Sequence, residues 1–218
     1  MAQLGVELGS RAVRAVRIDT WPKARTRAVE IEWNRNAPDD LVEALRPLGA
    51  ARRIAVAVDL PLLYTKRVKL PTLPAAERRK ILQLEPERFF AVRARDLVCA
   101  VSATDDLVFA TPETALAGWV AALEQLAPVD LVEPMPAALA RALARARLRD
   151  AHILLDARDE GVGLVEIRGG RVAHARRLFG DLAAVARALA ADAAPTTIYL
   201  SPWDDSRGRA LQSLLPAV

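Results

Sequence analysis

Apolar and polar positions alternate from Gln3 to Leu8, break at Gly9-Ser10, and alternate again from Val13 to Asp19. That pattern predicts a β-hairpin closed by a tight Gly-Ser turn. Thr26 to Trp33 alternates as well and predicts a third strand. "APDDLVEALRPLGA" then places Leu41, Leu45 and Leu48 on one helical face, with Asp39 or Asp40 as N-cap. "RIAVAVD" (53–59) is a short apolar run between charges, as expected of a strand buried on both faces.

The middle of the chain is punctuated differently. "LLYTKRVKL" alternates up to Pro71, and a helix is predicted after Pro74, with Ile81, Leu82 and Leu84 apolar and Pro86 ending or kinking it. "DLVCAVSA" and "DLVFAT" read as two short strands joined at "TDD". "PETALAGWVAALEQLA" predicts a helix with Pro112 at its first position and Ala115, Leu116, Trp119, Leu123 and Leu126 on one stripe. "VDLVEP" is a strand and "MPAALARALARARLR" a helix.

Then the opening order returns. "HILLDARDEGVGLVEIRGGRVAHARRL" reads as three strands with two turns, "GDLAAVARALAADA" as a helix, "TTIYLS" as a buried strand and "DDSRGRALQSLL" as a closing helix. Setting "LGVELGSRAVRAVRI" against "ILLDARDEGVGLVEI" places Asp156 on Glu7 and Arg158 on Gly9. Each copy is a three-strand meander, a helix and a buried strand. Two α/β halves of like order imply a ligand cleft between them.

Composition narrows this little. The 218 residues suffice for one large domain or two small ones, and with 5% aromatics the core is aliphatic. The formal charge is +4, and only Lys23, Lys66, Lys69 and Lys80 of the 31 basic residues are lysine. Those residues are spread along the chain, densest in "ERRK" and "RALARARLR", and no recognised nucleic-acid module accompanies them, so nucleic acid is not an expected partner. Cys99 is the only cysteine, which excludes an intrachain disulfide and suits a reducing cytoplasm. It reads as a small buried hydrophobe. No signal peptide opens the sequence, and no run approaches the roughly 18 uncharged apolar residues of a membrane span.

The remaining candidate chemistry favours structure. His152 and His174 have no Cys or His at ligand spacing, so no metal is expected. Asp39-Asp40, Asp105-Asp106 and Asp204-Asp205 read as helix caps or loop tips, and Gly169-Gly170 as a hairpin turn. Trp119 reads as core, while Trp21 and Trp203 lie in loop-like sequence where one could anchor a partner.

In order and spacing these segments resemble the actin-like ATPase superfamily, and within it the PilM family and the actin-like cytoplasmic domain of the type II secretion protein GspL. "GVELGSRAVRAVRI" resembles the first strand pair, and "VAVDLPLLYTKRVKLPTLPAAERRKILQLEPERFF" an inserted subdomain. "VDLVEPMPAALARAL" resembles the crossover strand and helix, and "LLDARDEGVGLVEIRGGRVAHAR" the second phosphate hairpin.

The resemblance implies an actin-like (RNase H-like) α/β fold of two subdomains with an inserted small α+β subdomain. The first subdomain would take 1–58 and 112–148, the insert 59–111 and the second subdomain 149–218. Phosphates in such a fold lie between two glycine turns. Here they would meet Glu7, Gly9, Ser10, Asp156 and Arg158. The parts are altered: Glu7 replaces the family's aspartate, Arg158 its glycine, and "SPWDDS" its glycine-rich adenosine turn. The expectation is therefore a non-enzymatic scaffold without a cofactor. It would stand at, or be tethered to, the cytoplasmic side of a bacterial inner membrane in a type IV pilus or type II secretion platform. The partners implied are the cytoplasmic tail of a membrane platform subunit, the pilus or secretion ATPase, and a second copy of the chain. A GspL-like protein would continue past Val218 into a transmembrane helix. The alternative is a working ATP- and Mg²⁺-dependent ATPase or kinase of the same fold.

Overall fold

The computed structural model describes residues 2–20, 23–84, 86–90, 96–101, 106–156, 161–191, 198–201 and 205–214. The chain divides into two units, 1–135 and 136–218. In the first, β1 (Ala2–Leu8), β2 (Ala12–Asp19) and β3 (Arg25–Glu32) form the expected antiparallel meander. After α1 (Asp39–Leu45), β4 (Ile54–Val58) lies parallel to β1, and β8 (Val129–Pro134) lies parallel to β4. The sheet order is β3-β2-β1-β4-β8.

One face of this sheet makes the core. Leu4, Val6 and Leu8 of β1 and Ile54, Val56 and Val58 of β4 pack with Leu41 and Leu45 of α1 and with Trp119 and Leu123 of α4 (Glu113–Glu124). The alternation of β4 is stricter than its apolar run suggests: Ala55 is exposed and Ala57 half-buried, so the strand is not buried on both faces. Its second face carries only methyl groups, which lose little by staying wet. Two helix starts also differ from expectation. α1 has Pro38 at its N-cap with no side-chain cap; Asp39 and Asp40 are its first residues, and Asp39 accepts a hydrogen bond from Gln125 Nε2 at 3.3 Å. Pro112 closes a strand, and its extended backbone (ψ 127°) makes it the N-cap of α4 rather than the first helical residue.

Between β4 and β8 the chain builds a separate three-stranded sheet in the order β5-β7-β6, from β5 (Tyr64–Arg67), β6 (Leu97–Val101) and β7 (Leu107–Pro112). α2 (Ala75–Leu84) and the short α3 (Pro86–Phe89) accompany it. Its core joins Val68, Leu82, Phe90, Leu97, Cys99, Val108 and Ala110. Leu82 is the α2 residue that enters; Leu84, grouped with it by apolarity, is 79% exposed at the end of the helix.

The second unit contains most of α5 (Met135–Arg145) and repeats the meander in β9 (Ala151–Asp156), β10 (Val162–Arg168) and β11 (Arg171–Leu178). β12 (Ile198–Ser201) then pairs parallel with β9, as β4 does with β1. Leu154, Val162 and Leu164 pack with Val185 and Leu189 of α6 (Leu182–Ala191) and Leu211 of α7 (Asp205–Leu214). Gly169 and Gly170, both at positive φ (58° and 77°), make the two-residue turn between β10 and β11. Among the described residues no helix is long and apolar enough to cross a membrane.

Candidate functional site

The turn between β1 and β2 is built by its neighbours. Gly9 N–H donates to Ala12 O at 3.0 Å, and a Cβ at Gly9 would stand 2.6 Å from that oxygen. The hairpin itself therefore demands the glycine. Trp33 ties the turn down: its Nε1 donates to Gly9 O at 2.9 Å and its backbone N–H to Arg11 O at 2.9 Å. Its ring stands edge-on to Trp119, with centroids 5.7 Å apart. Sequence reading found nothing to connect these tryptophans, because 86 positions separate them along the chain.

Glu7 sits in register with Arg14, which sits in register with Glu30. Arg14 Nη1 meets Glu7 Oε1 at 2.7 Å, and Arg14 Nε meets Glu30 Oε2 at 3.0 Å. Burial pulls the Arg14 guanidinium down, but the two carboxylates outweigh burial and hold it above its ordinary value. A second acid reaches the turn that sequence reading did not single out. Asp59, 8% exposed, follows β4; its N–H donates to Leu8 O at 3.0 Å and its Oδ1 accepts from Leu60 N–H at 2.7 Å. Its other oxygen would lie 3.9 Å from a Cβ on Gly9. The available signal was an acid at the end of a strand paired parallel to β1.

A nucleotide phosphate with Mg²⁺ needs open backbone N–H groups and a carboxylate free to hold metal-bound water. At this turn Gly9 N–H closes the hairpin and Glu7 is held by Arg14, while Asp59 brings a second carboxylate beside it. As held here, Gly9 N–H and the Glu7 carboxylate are engaged within the hairpin, and no chemical step through the group follows from them. Ser10 is half-buried and Arg11 exposed on the same turn.

The second turn is described in part. Asp156 ends β9 opposite Val162, and Arg158 lies outside the described residues, as do Trp21, Asp105, Trp203 and Asp204. Gly161, after that turn, has φ +93°, and a Cβ there would come within 2.5 Å of Leu178 O. The two histidines, unrelated in sequence, flank one buried acid. Glu166 pairs with His152 on β9 and His174 on β11, with Nε2 atoms 3.8 and 4.0 Å from its carboxylate, and Arg168 closes on it from its own strand. Among the described residues no group of three or more His, Cys, Asp or Glu side chains converges as a metal site.

Within the first unit one partly open apolar cavity of about 90 Å³ lies where β4 and β8 end beside β6 and β7. Val58, Val98, Phe109, Leu116 and Val132 line it, with Thr111 and Glu133 as its polar groups. Thr111 Oγ1 donates to Leu62 O at 3.1 Å, so the wall beside it is satisfied. The volume is several times what a single water requires.

No protein-family model matches the chain, and no curated protein matches it. Solved structures do. One described as a PilM-PilN type IV pilus biogenesis complex matches at TM-score 0.65 and 16% identity, over 99% of this chain and 88% of the other. A Bacteroides thetaiotaomicron protein with an actin-like ATPase fold and unknown function matches at TM-score 0.62 and 8% identity, over 97% and 86%. The cytoplasmic domain of EpsL, an inner-membrane component of the Vibrio cholerae type II secretion system, matches at TM-score 0.59 and 12% identity, over 98% and 94%. The chain has the actin-like ATPase fold, in the form that PilM and the EpsL cytoplasmic domain also take.

Proposed function

We propose that the chain is a non-enzymatic scaffold subunit of a bacterial inner-membrane assembly platform, of the type IV pilus or type II secretion kind. On this reading it is cytoplasmic and links membrane subunits to the assembly ATPase. The observation that carries the reading is the state of the first turn, where Glu7 is bound by Arg14 and Gly9 N–H is closed onto Ala12 O. A fold built for nucleotide is thereby left with its surfaces for partners. The apolar cavity at Val98, Phe109 and Val132 suits one aliphatic side chain of an extended platform tail. One of the similar structures was solved as a complex of PilM with PilN.

The test has two arms. Calorimetric titration with ATP and Mg²⁺ is expected to show no binding at millimolar nucleotide. Capture of platform-tail peptides is expected, and Val98→Glu, which puts a charge into the cavity, is expected to abolish it. Micromolar Mg²⁺-ATP binding that disappears in Glu7→Ala would overturn the scaffold reading in favour of a working ATPase.

A further inference from the structure

The second unit gathers arginines at one end. α5 closes with Arg147 N–H donating to Ala144 O at 3.1 Å and Leu148 N–H to Leu143 O at 2.9 Å. This six-to-one closure places Arg147 at φ +62°, a left-handed position that disfavours residues other than glycine. The β10–β11 turn packs on the same end. Gly170 N–H donates to Arg149 O at 2.7 Å, Gly169 N–H to Asp150 Oδ1 at 2.9 Å, and a Cβ on Gly170 would lie 3.7 Å from Ala144 Cβ. Arg168 and Arg171 flank that turn.

Arg145, Arg147, Arg149, Arg168 and Arg171 therefore share one small region, and all five are exposed. The acids there are Asp150, turned to the Gly169 N–H, and Glu166, against Arg168. Arg145, Arg147, Arg149 and Arg171 join no ion pair among the described residues. Leu148, 38% exposed, stands between Arg147 and Arg149.

We propose that this arginine cluster docks on an anionic phospholipid bilayer. Guanidiniums pair readily with phosphate oxygens, and a compact basic patch is attracted by the negative surface potential of such a membrane. An exposed leucine at its centre suits the headgroup boundary. Nucleic acid is the weaker occupant, because no aromatic side chain is among these residues to stack a base. The inference extends the platform reading, but it rests on the cluster alone.

The experiment is co-sedimentation of the whole chain with phosphatidylglycerol/phosphatidylcholine vesicles. Binding is expected at low salt, falling steeply as salt shortens the screening length. Each arginine near the surface contributes roughly fivefold, so alanine at Arg145, Arg147 and Arg149 together lowers partitioning on the order of 100-fold. Arg147→Gly removes one charge while easing the helix end, so it loses about fivefold with an unchanged or higher Tm. Arg187→Ala, on α6, is expected to bind as the unaltered chain does. Equal binding to pure phosphatidylcholine vesicles, full binding by the triple variant with an unchanged melting curve, or displacement of vesicles by duplex DNA of equal charge would each overturn the proposal. Tail-peptide capture is measured without lipid, so failure of either reading leaves the other standing.

Discussion

The two meanders have the same strand order and are held together differently. In β1–β3 the outer strand β3 is exposed along most of its length, and Glu7, Arg14 and Glu30 bridge the three strands across one face. In β9–β11 the middle strand β10 is buried from Val162 to Ile167. Cross-strand ion pairs at a wet surface add little, because water screens them and holding long side chains costs entropy. Aliphatic burial adds much more per residue. Both meanders thus rest on an aliphatic face, and the first adds a charge register on its outer face where the second buries its middle strand. Where charge register is used, a residue type that could serve a ligand is drawn into the framework.

The contrast predicts a ranking. Leu164→Ala, in the second core, is expected to cost about 3 kcal/mol in urea unfolding. Gly161→Ala follows at about 2–3 kcal/mol, because it combines a left-handed φ with a Cβ 2.5 Å from Leu178 O. Gly9→Ala, with an ordinary φ but a 2.6 Å approach to Ala12 O, is expected to cost about 1–2 kcal/mol. Arg14→Leu should cost less than about 1 kcal/mol. If Arg14→Leu proves as damaging as Leu164→Ala, the distinction between the meanders fails.

The smallest effect concerns acid. Arg17 donates to Asp19 at 2.8–3.1 Å, and this hydrogen bond, against some desolvation, holds the Asp19 carboxyl below its usual range. A depressed carboxyl contributes stability that is present above its unfolded value, about pH 4, and lost as pH falls through the lower folded value. Asp19→Asn should flatten that part of the stability–pH curve: a small loss of stability is expected at pH 7, shrinking to nothing as pH falls through the folded value.

The succession of strands and helices and the meander repeat were legible because alternation reports which face is wet, strand by strand. The first turn was legible as a hairpin from Gly9-Ser10 alone. What could not be read was anything set by register between distant segments: Arg14 between Glu7 and Glu30, Trp33 over Gly9, and Glu166 between His152 and His174. Arg147 was hidden for a different reason. A left-handed helix end normally announces itself with glycine, and "RARLR" has none. β4 misled because an alanine scores as apolar whether its methyl is covered or not.

Cys99 lies in the core of the three-stranded sheet with its thiol pushed up by burial. A thiol that is both enclosed and protonated reacts with an alkylating reagent only when its surroundings open. Since it is the only one in the chain, its labelling rate is a built-in clock for the breathing of that sheet alone. Slower labelling with a peptide seated in the neighbouring cavity would show which part of the molecule a partner stills.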